Sequence, residues 1–216
     1  MPVRKVSNRG GNVVGRFPSL KMGRMIAFES LLERDFIYLL DYDLRVEWFE
    51  EQPLTIEYLH EGQALHYTPD FHLIEAGQHV LIECKPERFV DRDDNPRKFA
   101  VAREWCIARR GEFRVVTDQQ LRTGFRLQNI QRLTRYARMT VDMNLCRQIE
   151  SCLRATSAPT LQALAQHLDP VDPQRVTAHV LHMAYHHQLE LPLDMAPLSG
   201  GTSVTLGTQF RREVAR

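Results

Sequence analysis

Apolar residues recur at helical spacing from Phe28 to Leu40, where Phe28, Leu31, Leu32, Phe36, Leu39 and Leu40 form one stripe. Glu29 and Glu33 lie one turn apart on the same predicted helix. The period then shortens. Trp48 to Tyr58 reads as extended chain, and Phe71, Leu73 and Ile74 lead into the turn-like Glu75-Ala76-Gly77-Gln78. His79-Val80-Leu81-Ile82 carries the chain back, which predicts a hairpin. Pro96 to Arg109 reads as a helix that starts near its proline and stops at Gly111, and Glu112 to Asp118 alternates as a strand. Helix, three antiparallel strands, helix, strand is an αβββαβ order. The last strand follows a crossover helix and can join in parallel, giving a mixed sheet and an α/β fold. Gln120 to Tyr136 predicts one more helix, a link carrying basic residues.

From about Val141 the composition shifts. Met143–Leu153, Thr160–Leu168 and Gln174–His187 give three short helical patterns, separated by polar turns at 157–159 and 169–173. Leu189–Leu193 and Thr202–Leu206 can pair as a small wing, so this part predicts a winged-helix-like α+β module. Such a module reads DNA with its third helix. Here Arg175 is that helix's only arginine or lysine, so docking to a protein is at least as well supported. The expected organisation is a basic arm over 1–27, an α/β domain over 28–140, the C-terminal module over 141–207 and a tail over 208–216.

The hairpin also carries candidate chemistry. Side chains alternate along a strand, so Glu83 and Lys85 share a face while Cys84 points to the other. The returning strand brings Glu83 toward Asp70 of the Pro69-Asp70 pair. Two hard carboxylates suit Mg²⁺, and a lysine beside them can orient a water or offset charge in a transition state. On these residues alone, Glu-x-Lys is equally a strand-surface ion pair and Pro-Asp a turn dipeptide. The strongly apolar Leu81-Ile82 stops abruptly at Glu83-Cys84-Lys85-Pro86, as expected where a buried scaffold presents a site at its rim.

Pro69-Asp70 with Glu83-Cys84-Lys85 resembles the PD-(D/E)xK nuclease motif, and the predicted core resembles the restriction-endonuclease-like fold of that superfamily. Ser30-x-x-Glu33 in the first helix, then Glu51-Gln52-Pro53, then Tyr67-Thr68-Pro69-Asp70 and Glu83-Cys84-Lys85-Pro86 together resemble TnsA, over about Phe28 to Asp118. TnsA proteins are the endonuclease subunits of heteromeric cut-and-paste transposons. The resemblance implies a Mg²⁺-dependent hydrolase, with Mn²⁺ able to substitute, that cuts the 5′ ends of the transposon. It places Glu33, Asp70, Glu83 and Lys85 on catalytic positions. The implied ligands are Glu33, backed by Glu29, with Asp70, Glu83 and the Cys84 backbone carbonyl, while Gln52 either lines the site or serves the strand entrance. The prototype carries Gln where this chain has Glu83, so the acid follows the wider superfamily. Implied partners are double-stranded DNA at transposon ends, a TnsB-like DDE transposase, and a TnsC-like AAA+ ATPase reached through the C-terminal module. The alternatives are a restriction or repair nuclease of the same fold and a non-catalytic DNA-binding assembly module.

Net charge is only +1, but its distribution is uneven. Arg4, Lys5, Arg9, Arg16, Lys21 and Arg24 precede any acid, and with Gly10, Gly11 and Gly15 they predict a flexible DNA-binding arm. A second basic tract begins at Arg88 and includes Arg97 and Lys98 as candidate phosphate contacts. No apolar run approaches the ~20 residues of a membrane span, and the N-terminus lacks a signal-peptide core, so a bacterial cytoplasmic location is expected. Four cysteines without CxxC spacing predict reduced thiols. His179, His182, His186 and His187 have helical spacing but no accompanying cysteine or HExxH, and are read as packing residues rather than zinc ligands.

Overall fold

The chain enters its first unit through a hairpin of β1 (Gly15–Pro18) and β2 (Met25–Phe28), antiparallel with Gly15 opposite Phe28. Next come α1 (Leu31–Tyr42), β3 (Val46–Glu51), a second hairpin of β4 (Ile56–His60) and β5 (Gln63–Tyr67), then β6 (Phe71–Glu75) and β7 (Gln78–Cys84). A 3₁₀ turn at Glu87–Phe89, α2 (Asn95–Ile107), β8 (Glu112–Val116) and the short α3 (Asp118–Leu121) complete it. The computed structural model describes residues 13–92, 94–157 and 159–207. Two compact units divide the chain between Thr123 and Gly124.

The central sheet of the first unit has the order β3-β6-β7-β8. β6 runs antiparallel to β3 and β7, while β8 is parallel to β7, as expected of a strand returning through a crossover helix. This mixed sheet is compatible with the nuclease-like core anticipated from the sequence. Alternation along β7 divides the core. Val80, Ile82 and Cys84 join Phe36, Ile37 and Leu40 of α1 on one face, while Leu81 packs with Phe99, Ala102 and Cys106 of α2 on the other. The β6–β7 turn places Ala76 and Gly77 at φ 49° and 78°, the left-handed geometry of a tight two-residue hairpin loop.

The hairpin at residues 15–28 corrects the expectation of a flexible arm. Phe17, Ile26 and Phe28 are buried in the α1-side core. Gly15 is there for close approach, since a Cβ at that position would run into the Phe28 ring. The loop between its strands is tied to the end of α1: buried Asp41 accepts from the Ser19 hydroxyl and from the amides of Leu20 and Lys21 at 3.2 and 3.1 Å. Lys21 Nζ donates to the carbonyls of Leu40 (2.7 Å), Val46 (2.6 Å) and Asp43, a cation seated on the negative end of the helix. Arg24 grips buried Glu51 with both terminal nitrogens, at 2.9 and 2.7 Å. Lys21 and Arg24 are thus structural cations, Arg16 stays exposed, and Arg4, Lys5 and Arg9 lie outside the described residues.

The second unit contains α4 (Arg126–Thr134), α5 (Met143–Ala155), α6 (Leu161–Leu168), α7 (Pro173–Tyr185) and a two-residue ribbon of β9 (Leu189–Glu190) and β10 (Thr205–Leu206). The helices start at Asp142, Thr160 and Asp172, whose side chains cap α5, α6 and α7. α4 belongs here rather than with the preceding domain: it packs on α7, and Asn129 Nδ2 donates to the carbonyls of Leu193 and Ala196, both at 2.8 Å. α7 lies against α4, α5, α6 and β9, and Val176, His179, Val180, Leu181, Met183, Ala184 and Tyr185 are all buried. It is the core of this unit. Only its first turn, Gln174 and Arg175, is well exposed, which argues against a DNA-reading role for the helix.

The helix histidines bond to backbone. His179 accepts from the Asp142 amide at Nε2 (3.0 Å) while Nδ1 meets the Arg175 carbonyl (2.7 Å). His182 and His186 reach the carbonyls of Tyr136 and Ala137, both at 2.9 Å. The tail at 208–216 lies outside the described residues.

Candidate active site

Asp70 sits immediately before β6, and because Phe71 pairs with Ile82, the next step of the ladder sets Asp70 beside Glu83. Asp70 Oδ2 accepts from the Cys84 amide at 2.7 Å, which ties the carboxylate to the end of β7. Glu83 is buried, with one oxygen 2.7 Å from Lys85 Nζ and the other accepting from the Tyr67 hydroxyl at 2.8 Å. Lys85 is fixed by its own amide, which donates to the Val116 carbonyl of β8 at 3.0 Å. Glu33 arrives from α1. Ser30 caps that helix by accepting from the Glu33 amide (3.1 Å), and the Glu33 carboxylate reaches back to the Ser30 hydroxyl and the Glu29 amide, both at 2.8 Å.

Electrostatics report that these groups share one place. Burial pushes the Asp70 carboxyl well above the usual carboxylate range, and the charges of Glu83 and then Glu33 push further, against the Cys84 hydrogen bond and Lys85. Burial likewise raises Glu33, over the opposition of its two hydrogen bonds and with the charges of Glu29 and Glu83 adding. Lys85 is partly desolvated, yet Glu83 and Asp70 hold its ammonium protonated above the ordinary lysine value. The structure therefore brings Glu33, Asp70, Glu83 and Lys85 together.

The donor set suits a hard divalent cation. Three carboxylates face one ammonium, and two neighbouring oxygens, Glu29 Oε1 and Gln52 Oε1, are buried without a hydrogen-bond donor. A cation would offset that surplus of acceptors. Among the described residues no three His, Cys, Asp or Glu groups form a ready cation cage. The reason is visible in the bonds above: both oxygens of Glu83 and both of Glu33 are held by other partners.

Gln52 follows β3 directly, and its amide donates to the Asp70 carbonyl at 2.8 Å. Its φ of 44° is left-handed. Residues 43–118 match the family model described as TnsA-like endonuclease N terminal. The first unit is TnsA-like. The TnsA-like stretch contains Gln52, Asp70, Glu83 and Lys85, and Glu33 precedes it. Among curated proteins, nothing matches the chain significantly.

Tyr67 had no role in the sequence reading. Its only signal was its place three residues before Asp70, at the end of β5 in a hairpin whose pairing of Ile56 with Tyr67 turns the ring inward. Of the cations expected to meet DNA from α2, Arg97 is held by Asp94 at 2.7 Å and Lys98 is half-buried.

Proposed function

We propose that this chain is the metal-dependent DNA endonuclease subunit of a heteromeric cut-and-paste transposase, hydrolysing the 5′ ends of the transposon. The observation that carries the reading is the convergence of Asp70, Glu83 and Glu33 with Lys85 at the rim of the sheet, inside a TnsA-like segment.

Asp70, Glu83 and Glu33, with the Cys84 carbonyl, would hold Mg²⁺, and Mn²⁺ offers the same preference for oxygen. Such an ion supplies Lewis-acid polarisation of a phosphodiester and lowers the pKa of water. The chain's own residues orient the rest. Cys84 N–H fixes Asp70, and Tyr67 holds Glu83 from the side opposite Lys85. Lys85, kept charged by Glu83, presents three N–H donors that can stabilise negative charge on phosphate oxygens or orient a water for attack. In-line hydrolysis then leaves a 5′-phosphate and a 3′-hydroxyl. Cation uptake must compete with Tyr67 and Lys85 for Glu83, which supports a site completed together with its substrate.

The second unit is proposed to dock an AAA+ ATPase partner, with a DDE transposase cutting the 3′ ends. Supporting this, its third helix is buried in the unit's own core and lacks the cationic face that DNA would require. The test is strand-resolved cleavage of a transposon-end duplex by the assembled subunits, with Mg²⁺ titrated from zero. Cleavage of the 5′ strand that rises with Mg²⁺ and leaves a 5′-phosphate supports the proposal, and metal-independent cleavage overturns it.

A further inference from the structure

Gln52 combines three features that packing alone does not require. Its backbone occupies the left-handed region at φ 44°, a conformation unfavourable for a side chain with a Cβ and further disfavoured before a proline, here Pro53. Its side chain is buried, with 9% of its surface exposed, yet Oε1 has no hydrogen-bond donor. Its amide holds the carbonyl of Asp70 at 2.8 Å. Strained backbone and an unsatisfied buried acceptor are each unfavourable, and they persist where a functional constraint holds them.

The missing donor is the informative part. The neighbouring groups of the site, Asp70, Glu83 and Glu33, are acceptors, and Lys85 is engaged with Glu83 at 2.7 Å. A donor for Gln52 therefore has to come from outside the protein. We infer that Gln52 is a positioning residue of the carboxylate site, whose side-chain oxygen accepts a hydrogen bond from the water shell of the divalent cation. The inference rests on the metal-dependent reading above and extends it to a residue outside the acidic motif. The left-handed turn has a purpose in this arrangement: one residue clamps the Asp70 backbone and lends its side chain to the same site.

The test is calorimetric binding of Mg²⁺ to the full chain without DNA, alongside thermal melting. Gln52→Gly relieves the backbone and removes the oxygen, so the melting temperature should hold or rise while Mg²⁺ affinity falls about tenfold. Gln52→Met keeps the volume without the oxygen, and should lose affinity to the same degree if glycine loosens the loop. Gln52→Glu retains an acceptor and should bind Mg²⁺ at least as well as the unaltered chain. Unchanged affinity in both the glycine and methionine variants overturns this inference and leaves the metal-dependent reading intact. Failure of the unaltered chain to take up Mg²⁺ overturns both.

Discussion

Tyr67 and Lys85 grip opposite oxygens of Glu83, the tyrosine hydroxyl at 2.8 Å and the ammonium at 2.7 Å. The buried carboxylate is thereby fixed from two elements that the sequence separates, a protruding hairpin and the end of the central β7 strand. The hairpin is thus part of the site's support rather than a surface ornament.

Tyr67→Phe removes one of those donors and leaves a buried carboxylate oxygen unpaired. Stability should fall by about 1.5–3 kcal/mol, the range for a hydrogen bond to a charged group. Urea denaturation of the full chain checks this, and an unchanged midpoint would mean that Glu83 finds another donor at no cost.

Lys85→Ala removes the only ammonium recorded against Glu83. Cleavage of the 5′ strand by the assembled complex should fall by about a hundredfold or more, the scale for losing a charge-stabilising donor in an active site. Lys85→Arg retains charge but not the compact head, and should recover only part of the rate.

Lys21→Met separates structure from DNA contact. The lysine satisfies three carbonyls at the end of α1, so its loss should destabilise the chain by roughly 2 kcal/mol. Affinity for duplex DNA, measured by fluorescence anisotropy at constant salt, should not change. A large loss of affinity with normal stability would restore the arm reading for this residue.

In the second unit, burial lowers the His182 pKa, and the charges of His186 and His179 add to this against its bond to the Tyr136 carbonyl. A folded pKa below the unfolded one means that the unfolded chain takes up the proton first. The stabilisation is then complete above about pH 6.5 and is lost as pH falls through the lower folded value. Amide exchange in α7 should accelerate on acidification across that window, and His182→Gln should flatten the response.

Much of the first unit was legible because each element carried a local signal. Ser30 with Glu33 marked the start of α1, Ala76-Gly77 marked the β6–β7 turn, and the alternation of Val80 to Glu83 fixed which residues share a face. The hairpin at residues 15–28 was not legible, because its glycine and cations have the composition of a loose arm and its order comes from tertiary contacts, the Phe28 ring over Gly15 and the end of α1 under Lys21. α4 was misassigned for a similar reason. Its helical period was visible, but the asparagine that binds it to the Leu193 and Ala196 carbonyls acts across more than sixty residues of sequence. Glu33 shows the same limit within the site: its spacing from Ser30 gave the helix cap, while its proximity to Asp70 emerged only from the fold.

The most direct measurement is 5′-strand cleavage by a complex carrying Asp70→Asn, which keeps the shape and an oxygen for the Cys84 amide but removes the charge. The account predicts that 5′ cleavage is lost while DNA binding and 3′ cleavage by the partner continue. A variant that cuts the 5′ strand at the normal rate would contradict it.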